Sequence, residues 1–161
     1  IGGASITPTT TTPLLFTASN SGSTCHLECK VDHNSGVEVL RFINGNGQQG
    51  HIKLNSSATA FSTSSDYRLK ENVSYTWDAT TRLKQLKPAR FNWIADDTNT
   101  LEDGFLAHEV SNVVPNAISG EKDAVMPDDS IDPQAIDQSK LVPLMIKTIQ
   151  ELEARIATLE G

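Results

Sequence analysis

The chain has 161 residues, a formal charge of -7 and a pI near 5.0. That length holds one ordinary core, or a domain with an extended appendage, and the acidic balance argues against nucleic acid as the main partner. Hydrophobic residues make up 37% and aromatics 6%, so a lone protomer would have a thin core and burial between subunits is expected. No run approaches the ~20 apolar residues of a membrane span, so membrane insertion is not expected. The opening "IGGASITPTTTTPLLF" lacks a basic leader region, and Ile1 reads as the start of a fragment.

Residues 1–64 are dominated by Thr, Ser, Asn and Gly, as in "ITPTTTTPLLFTASNSGST". Short alternating runs follow, "CHLECKV", "VEVLRFI" and "HIKL", separated by "DHNSG" and "NGNGQQG". Those separators are turn chemistry, because Asn-Gly supplies the positive φ angles of a tight hairpin. Short strands with few large residues cannot close a core alone. The composition favours a fibrous β-stalk whose core forms between chains over a β-sandwich fragment. Cys25 and Cys29 would lie ~13 Å apart on one strand face, too far for a disulfide. With His26 and His33 nearby a metal site comes to mind, but C-x3-C without a second pair is a weak ligand pattern. No metal or cofactor is expected, and reduced thiols suit assembly in a cytoplasm.

After Ser65 the texture changes. "WDATTRLKQLKP" predicts a short helix with Asp78 as its cap, Leu83 and Leu86 on one face and Pro88 as its stop. "ARFNWI" reads as a half-buried strand with Phe91 and Trp93 on one side, and these two with Phe105 are expected in the core. "DDTNTLEDG" is a loop. "GFLAHEVSNVVPNAIS" predicts a strand, a helical turn or two, a break at Pro115 and another strand. "GEKDAVMPDDSIDPQ" is a solvated loop; its Asp128, Asp129 and Asp132 lack the glycine and terminal Glu of a calcium-binding EF-hand.

The last segment sets Val142, Met145, Ile149, Leu152, Ile156 and Leu159 at alternating spacings of three and four, a heptad seam. Pro143 fits only the first turn, so the helix should run over about 139–160. Leu141, Leu144 and Ile146 widen the stripe at its start, which predicts packing against the domain body. So short a helix needs partners. β-Branched a positions with Leu at d favour dimers, whereas the wider stripe pulls towards trimers, and the helix alone leaves both open.

The stretch "TSSDYRLKENV" pairs Ser65 with Lys70. A serine nucleophile needs a base, and a lysine serves only while its amine is neutral. Five residues span ~17 Å on a strand, facing opposite ways, and about 140° on a helix. The two side chains meet only if the chain turns between them, or if the lysine comes from another subunit. Ser65-Asp66 is a plausible turn or cap. By spacing alone a charged turn leading into a domain is the commoner meaning of such a pattern.

The order "SSDYRLKENV", "LKQLKPARFNW", "DGFLAHEVSNVVPNAIS" and a closing apolar helix resembles the C-terminal intramolecular chaperone domain of bacteriophage tailspikes and tail fibres, the endosialidase-type serine autopeptidase. The resemblance runs from about Ser65 to Glu160. It implies an α+β fold class: a fibrous β-stalk at 1–64, then a small mixed α/β chaperone domain at 65–161 ending in a coiled-coil helix, in an intertwined homotrimer. It also implies single-turnover self-cleavage of the Ser64–Ser65 bond, with Ser65 as nucleophile and Lys70 as general base. Asp66 would orient the turn, Arg68 would be an ion-pairing partner, and His108, with Glu109 beside it, would support the site. The implied setting is a virion tail fibre assembled in the bacterial cytoplasm. The chaperone domain would act on the upstream fibre of its own chain and be released after cleavage. Two alternatives stand beside this: a trimerising cap that is never cut, and a fibre tip that touches a host-surface receptor through loops such as "DDTNTLEDG".

Overall fold

A computed structural model describes residues 36–161. The strand expected over "CHLECKV", with Cys25, His26, Cys29 and His33, lies outside the described residues. The chain divides into two compact units, one ending at Asn72 and the other running from Val73 to Gly161. Both are small, and together they make a mixed α/β protein that ends in a long helix.

The described part of the first unit is a three-stranded antiparallel sheet, β1 (Val37–Asn44), β2 (Gly47–Leu54) and β3 (Thr59–Thr63), in the order β1-β2-β3. The β1–β2 connection is the tight turn that its Asn and Gly residues predict: Asn46 N–H donates to Asn44 Oδ1 at 2.9 Å, and Gly47 takes φ +96°. Among residues 36–72 only Gly50 is buried, and Leu40, Phe42, Ile43 and Phe61 are exposed. This unit therefore has no core of its own among its described residues, as the sparse large side chains led us to expect. β3 was not anticipated, because "NSSATAFST" is small and polar and only Phe61 marks its alternation.

The second unit is organised on a long C-terminal helix. Here α1 (Ala79–Leu83) is capped by Asp78, which accepts from Thr81 N–H at 2.9 Å, and Pro88 follows it. The strands β4 (Ala89–Phe91) and β5 (Glu102–Gly104) pair antiparallel; α2 (Ala107–Val110) follows, then a 3-10 turn at Pro115–Ala117. A second ribbon, β6 (Ile118–Ser119) with β7 (Ala135–Ile136), closes the loop-rich stretch between them. Finally a 3-10 turn at Gln138–Leu141 leads into α3 (Val142–Glu160), with Pro143 in its first turn.

The core is thin: Ala79, Val110, Val113, Val114, Ala117, Leu141 and Leu144, with Leu83, Leu86 and Phe105 half-buried around it. Leu141 and Leu144 pack on the body as expected, whereas Ile146 is exposed. Trp93 is not a core residue. β4 ends at Phe91, so Trp93 lies beyond the strand, 59% exposed, stacked edge-on against Phe91 at 5.3 Å with its Nε1–H on Glu102. Arg82 ties α1 to the rest, donating to the Val113 carbonyl at 2.7 Å while its guanidinium lies 5.7 Å from the centre of the Trp77 ring.

Glu151 supplies a longer tie. From the third turn of α3 its carboxylate accepts from Ala79 N–H at 3.0 Å, Thr80 N–H at 2.8 Å and Thr80 Oγ1 at 2.6 Å. It is a tertiary cap for the α1 amides that a short helix leaves without intrahelical acceptors. Those bonds hold the carboxyl below the usual Glu range.

Candidate functional site

β3 delivers the chain to the candidate site. Its pairing with β2 runs from Leu54↔Thr59 to Gly50↔Thr63 and is extended one residue further, where Ser64 N–H donates to the Gln49 carbonyl at 2.9 Å. The Ser64 hydroxyl donates to the neighbouring Gln48 carbonyl at 2.7 Å. At Ser65 the chain leaves the sheet.

It then turns within one 3-10 helix, Tyr67–Leu69. Asp66 caps that turn by accepting from Arg68 N–H at 2.9 Å, and its carboxylate takes both arms of the Arg68 guanidinium, Nε at 3.0 Å and Nη2 at 2.6 Å. This fork holds the Asp66 carboxyl below its ordinary range. The turn lets the side chains at 65 and 70 face each other, which neither a straight strand nor a continuous α-helix allows. Lys70 Nζ reaches Ser65 Oγ at 2.7 Å within one chain. Both residues are exposed.

Four of the sequence-derived residues, Ser65, Asp66, Arg68 and Lys70, thus share one six-residue turn. His108 and Glu109 belong to the second unit. There the His108 backbone carbonyl accepts from Ser111 Oγ and Asn112 Nδ2, and Glu109 pairs with Lys87 at 3.0 Å. Sequence reasoning left out Gln48 and Gln49, which contribute backbone carbonyls and so carry no residue-type signal. Among the described residues no cluster of His, Cys, Asp and Glu could hold a metal ion.

A second feature of the site's unit is Gly50. A Cβ at this position would lie 2.5 Å from the Ser62 carbonyl oxygen, so β3 can approach β2 this closely only over a glycine.

Residues 65–119 match the family described as chaperone of endosialidase. The matched segment belongs to that family. The match begins on Ser65 itself and includes the Asp66–Lys70 turn, α1, the β4–β5 ribbon and α2. No curated protein matches the chain. The match of this segment to the endosialidase-chaperone family supports a role as an intramolecular chaperone and suggests a virion-related protein. No helix of the described residues is long and apolar enough to cross a membrane.

α3 carries the other candidate surface. Leu141, Leu144, Thr148 and Glu151 form one stripe, turned to the domain body. The heptad positions Val142, Met145, Ile149, Leu152, Ile156 and Leu159 form the next stripe round the helix and are 42–86% exposed. Part of that stripe opens onto an apolar groove of about 570 Å³ between α3 and Leu83, Leu86, Pro88 and Phe105.

Proposed function

We propose that this chain is the intramolecular chaperone of a phage tail fibre or tailspike, which trimerises through α3 and then releases itself by cutting the Ser64–Ser65 bond. The observation that carries the chemistry is the 2.7 Å contact between Lys70 Nζ and Ser65 Oγ, at the first residue of the family match.

The reaction would proceed in two stages. Neutral Lys70 takes the Ser65 hydroxyl proton, and Oγ bonds to the Ser64 carbonyl carbon through a five-membered ring. The C–N bond then breaks as the Lys70 ammonium returns that proton to the Ser65 nitrogen, leaving an ester between Ser64 and Ser65 Oγ. Water adds to the ester, giving a Ser64 carboxylic acid and restoring the Ser65 hydroxyl. An intramolecular nucleophile has an effective molarity that reaches ~10^5 M, so the remaining demands are proton transfer and stabilisation of the oxyanion.

A lysine serves as a base only while its amine is neutral, and Lys70 is exposed in the single chain. Removing water from the turn would favour the neutral amine. Assembly of three chains supplies a means of doing so, which would link cutting to completed folding. The open α3 stripe supports assembly: six apolar side chains at heptad spacing, next to an apolar groove, would gain burial by packing against other copies. The sheet of the first unit, with no core among its described residues, fits a stalk segment whose core forms between chains.

Intact mass measurement of freshly made protein tests the proposal, with Ser65→Ala and Lys70→Ala beside it. Two fragments meeting at Ser64–Ser65 in the wild type, and whole chains in both variants, are expected. A whole wild-type chain in a stable trimer would instead make the protein a trimerising cap with "TSSDYRLKENV" as its hinge.

A further inference from the structure

We infer that the acyl side of the Ser64–Ser65 bond has a built seat on β2, and that the Ser64 hydroxyl is a positioning group for cleavage. The inference rests on the self-cleavage reading and concerns how the carbonyl under attack is held.

Attack by Ser65 Oγ requires the Ser64 carbonyl carbon to present one face to it, and rotation about the Ser64 backbone changes that presentation. Three features restrict it. The Ser64 N–H closes a backbone bond to Gln49, and its Oγ–H closes a second bond to Gln48, so two adjacent β2 carbonyls grip one residue. Gly50 then lets β3 lie close enough for both bonds, since a Cβ there would strike the Ser62 carbonyl. Beyond Ser64 the next anchored group is Ser65 Oγ, held by Lys70. The scissile bond therefore lies between two fixed points, the sheet on its acyl side and the Asp66-capped turn on its amine side. Ser64 does not contribute the nucleophile. Its hydroxyl is committed to Gln48, while Ser65's faces the amine.

A side chain at position 64 that keeps the hydroxyl should preserve the grip, and one that lacks it should lose half of it. Self-cleavage of the full chain can be followed in time by intact mass after a short pulse of synthesis. Ser64→Ala should cut about 3–10-fold more slowly than the wild type, as expected for one lost hydrogen bond to a reacting segment. Ser64→Thr should recover to within about twofold, and Ser56→Ala, in the β2–β3 turn, should match the wild type. The pH profile of Ser64→Ala should run parallel to that of the wild type, because no proton-transfer group is altered. Gly50→Ala tests the seat independently of position 64, and it too should slow cutting. Assembly is checked in a Lys70→Ala background, which keeps the chain whole; Ser64→Ala should oligomerise there as its parent does. Wild-type rates in Ser64→Ala or Gly50→Ala, or failure of Ser64→Thr to recover, would overturn the seat and leave the self-cleavage reading intact. A wild-type chain that never cuts would overturn both.

Discussion

The two units of this chain differ in where their order comes from. From Val73 onwards, helices and ribbons are fixed by a shared core and by long-range ties such as Glu151 to Ala79 and Thr80, across 72 and 71 residues of sequence. Up to Asn72, among the described residues, nothing but Gly50 is buried, and the contacts are hydrogen bonds and side-chain pairs within a strand, between neighbouring strands or within one turn. Yet the groups suited to chemistry, Ser65 and Lys70, stand in the unit without the core. A site built from local bonds forms at little cost and is equally easily disturbed. The core and the candidate reactive turn are thus carried by different units among the described residues.

The comparison can be tested first at the core. Leu144→Ala removes a side chain only 3% exposed from a small core, and should destabilise the second unit by about 3 kcal/mol, read as a fall in its thermal midpoint. If the units are as distinct as their contacts indicate, hydrogen exchange in the β2–β3 ladder should change far less. Next is the open stripe of α3. Ile149→Asp should prevent trimers, seen by sedimentation, and slow self-cleavage by about 100-fold by leaving Lys70 in water. A monomer that cuts at the normal rate would show that the turn works without assembly.

Smaller effects follow from the ties. Glu151→Gln should lower the thermal midpoint by about 4 °C near neutral pH. Because the Glu151 carboxyl is held below its ordinary value, its contribution is complete above the unfolded Glu pKa and is lost as the pH falls through the lowered folded one. The gap between wild type and Glu151→Gln should therefore close in acid. The smallest change is expected at the capped turn, where Asp66→Asn removes the ionic half of the Arg68 fork and should slow cleavage about twofold. A similar linkage applies, since the Asp66 carboxyl is also held low and its support for the turn fades only in acid.

Much of this could be read in the residues, and what could not has physical causes. Asp78 before an apolar-periodic stretch announces a cap, Pro143 a first helical turn and Asn-Gly between alternating runs a hairpin, and each forms. Ser65 and Lys70 could be paired only by assuming a turn, and Asp66 with its 3-10 helix is that turn. β3 was hidden because Thr, Ser and Ala suit loops as readily as strands; its place depends on β2 and on the absence of a side chain at Gly50. Alternation with Phe91 and residue type place Trp93 in the core, but β4 stops before it and leaves the ring exposed. The heptad stripe was legible, but the neighbouring stripe's use of Glu151 was not, because a carboxylate reaching amides across 72 positions leaves no periodic trace.

The extension of the β2–β3 ladder to Ser64 bears on what a cut would leave behind. A chain ending at Ser64 would finish on its last inter-strand hydrogen bonds, with no dangling residues beyond them. Loose ends are where exopeptidases begin and where neighbouring chains tangle. A chain terminated in this way would carry a trimmed, tied-down edge without any further processing.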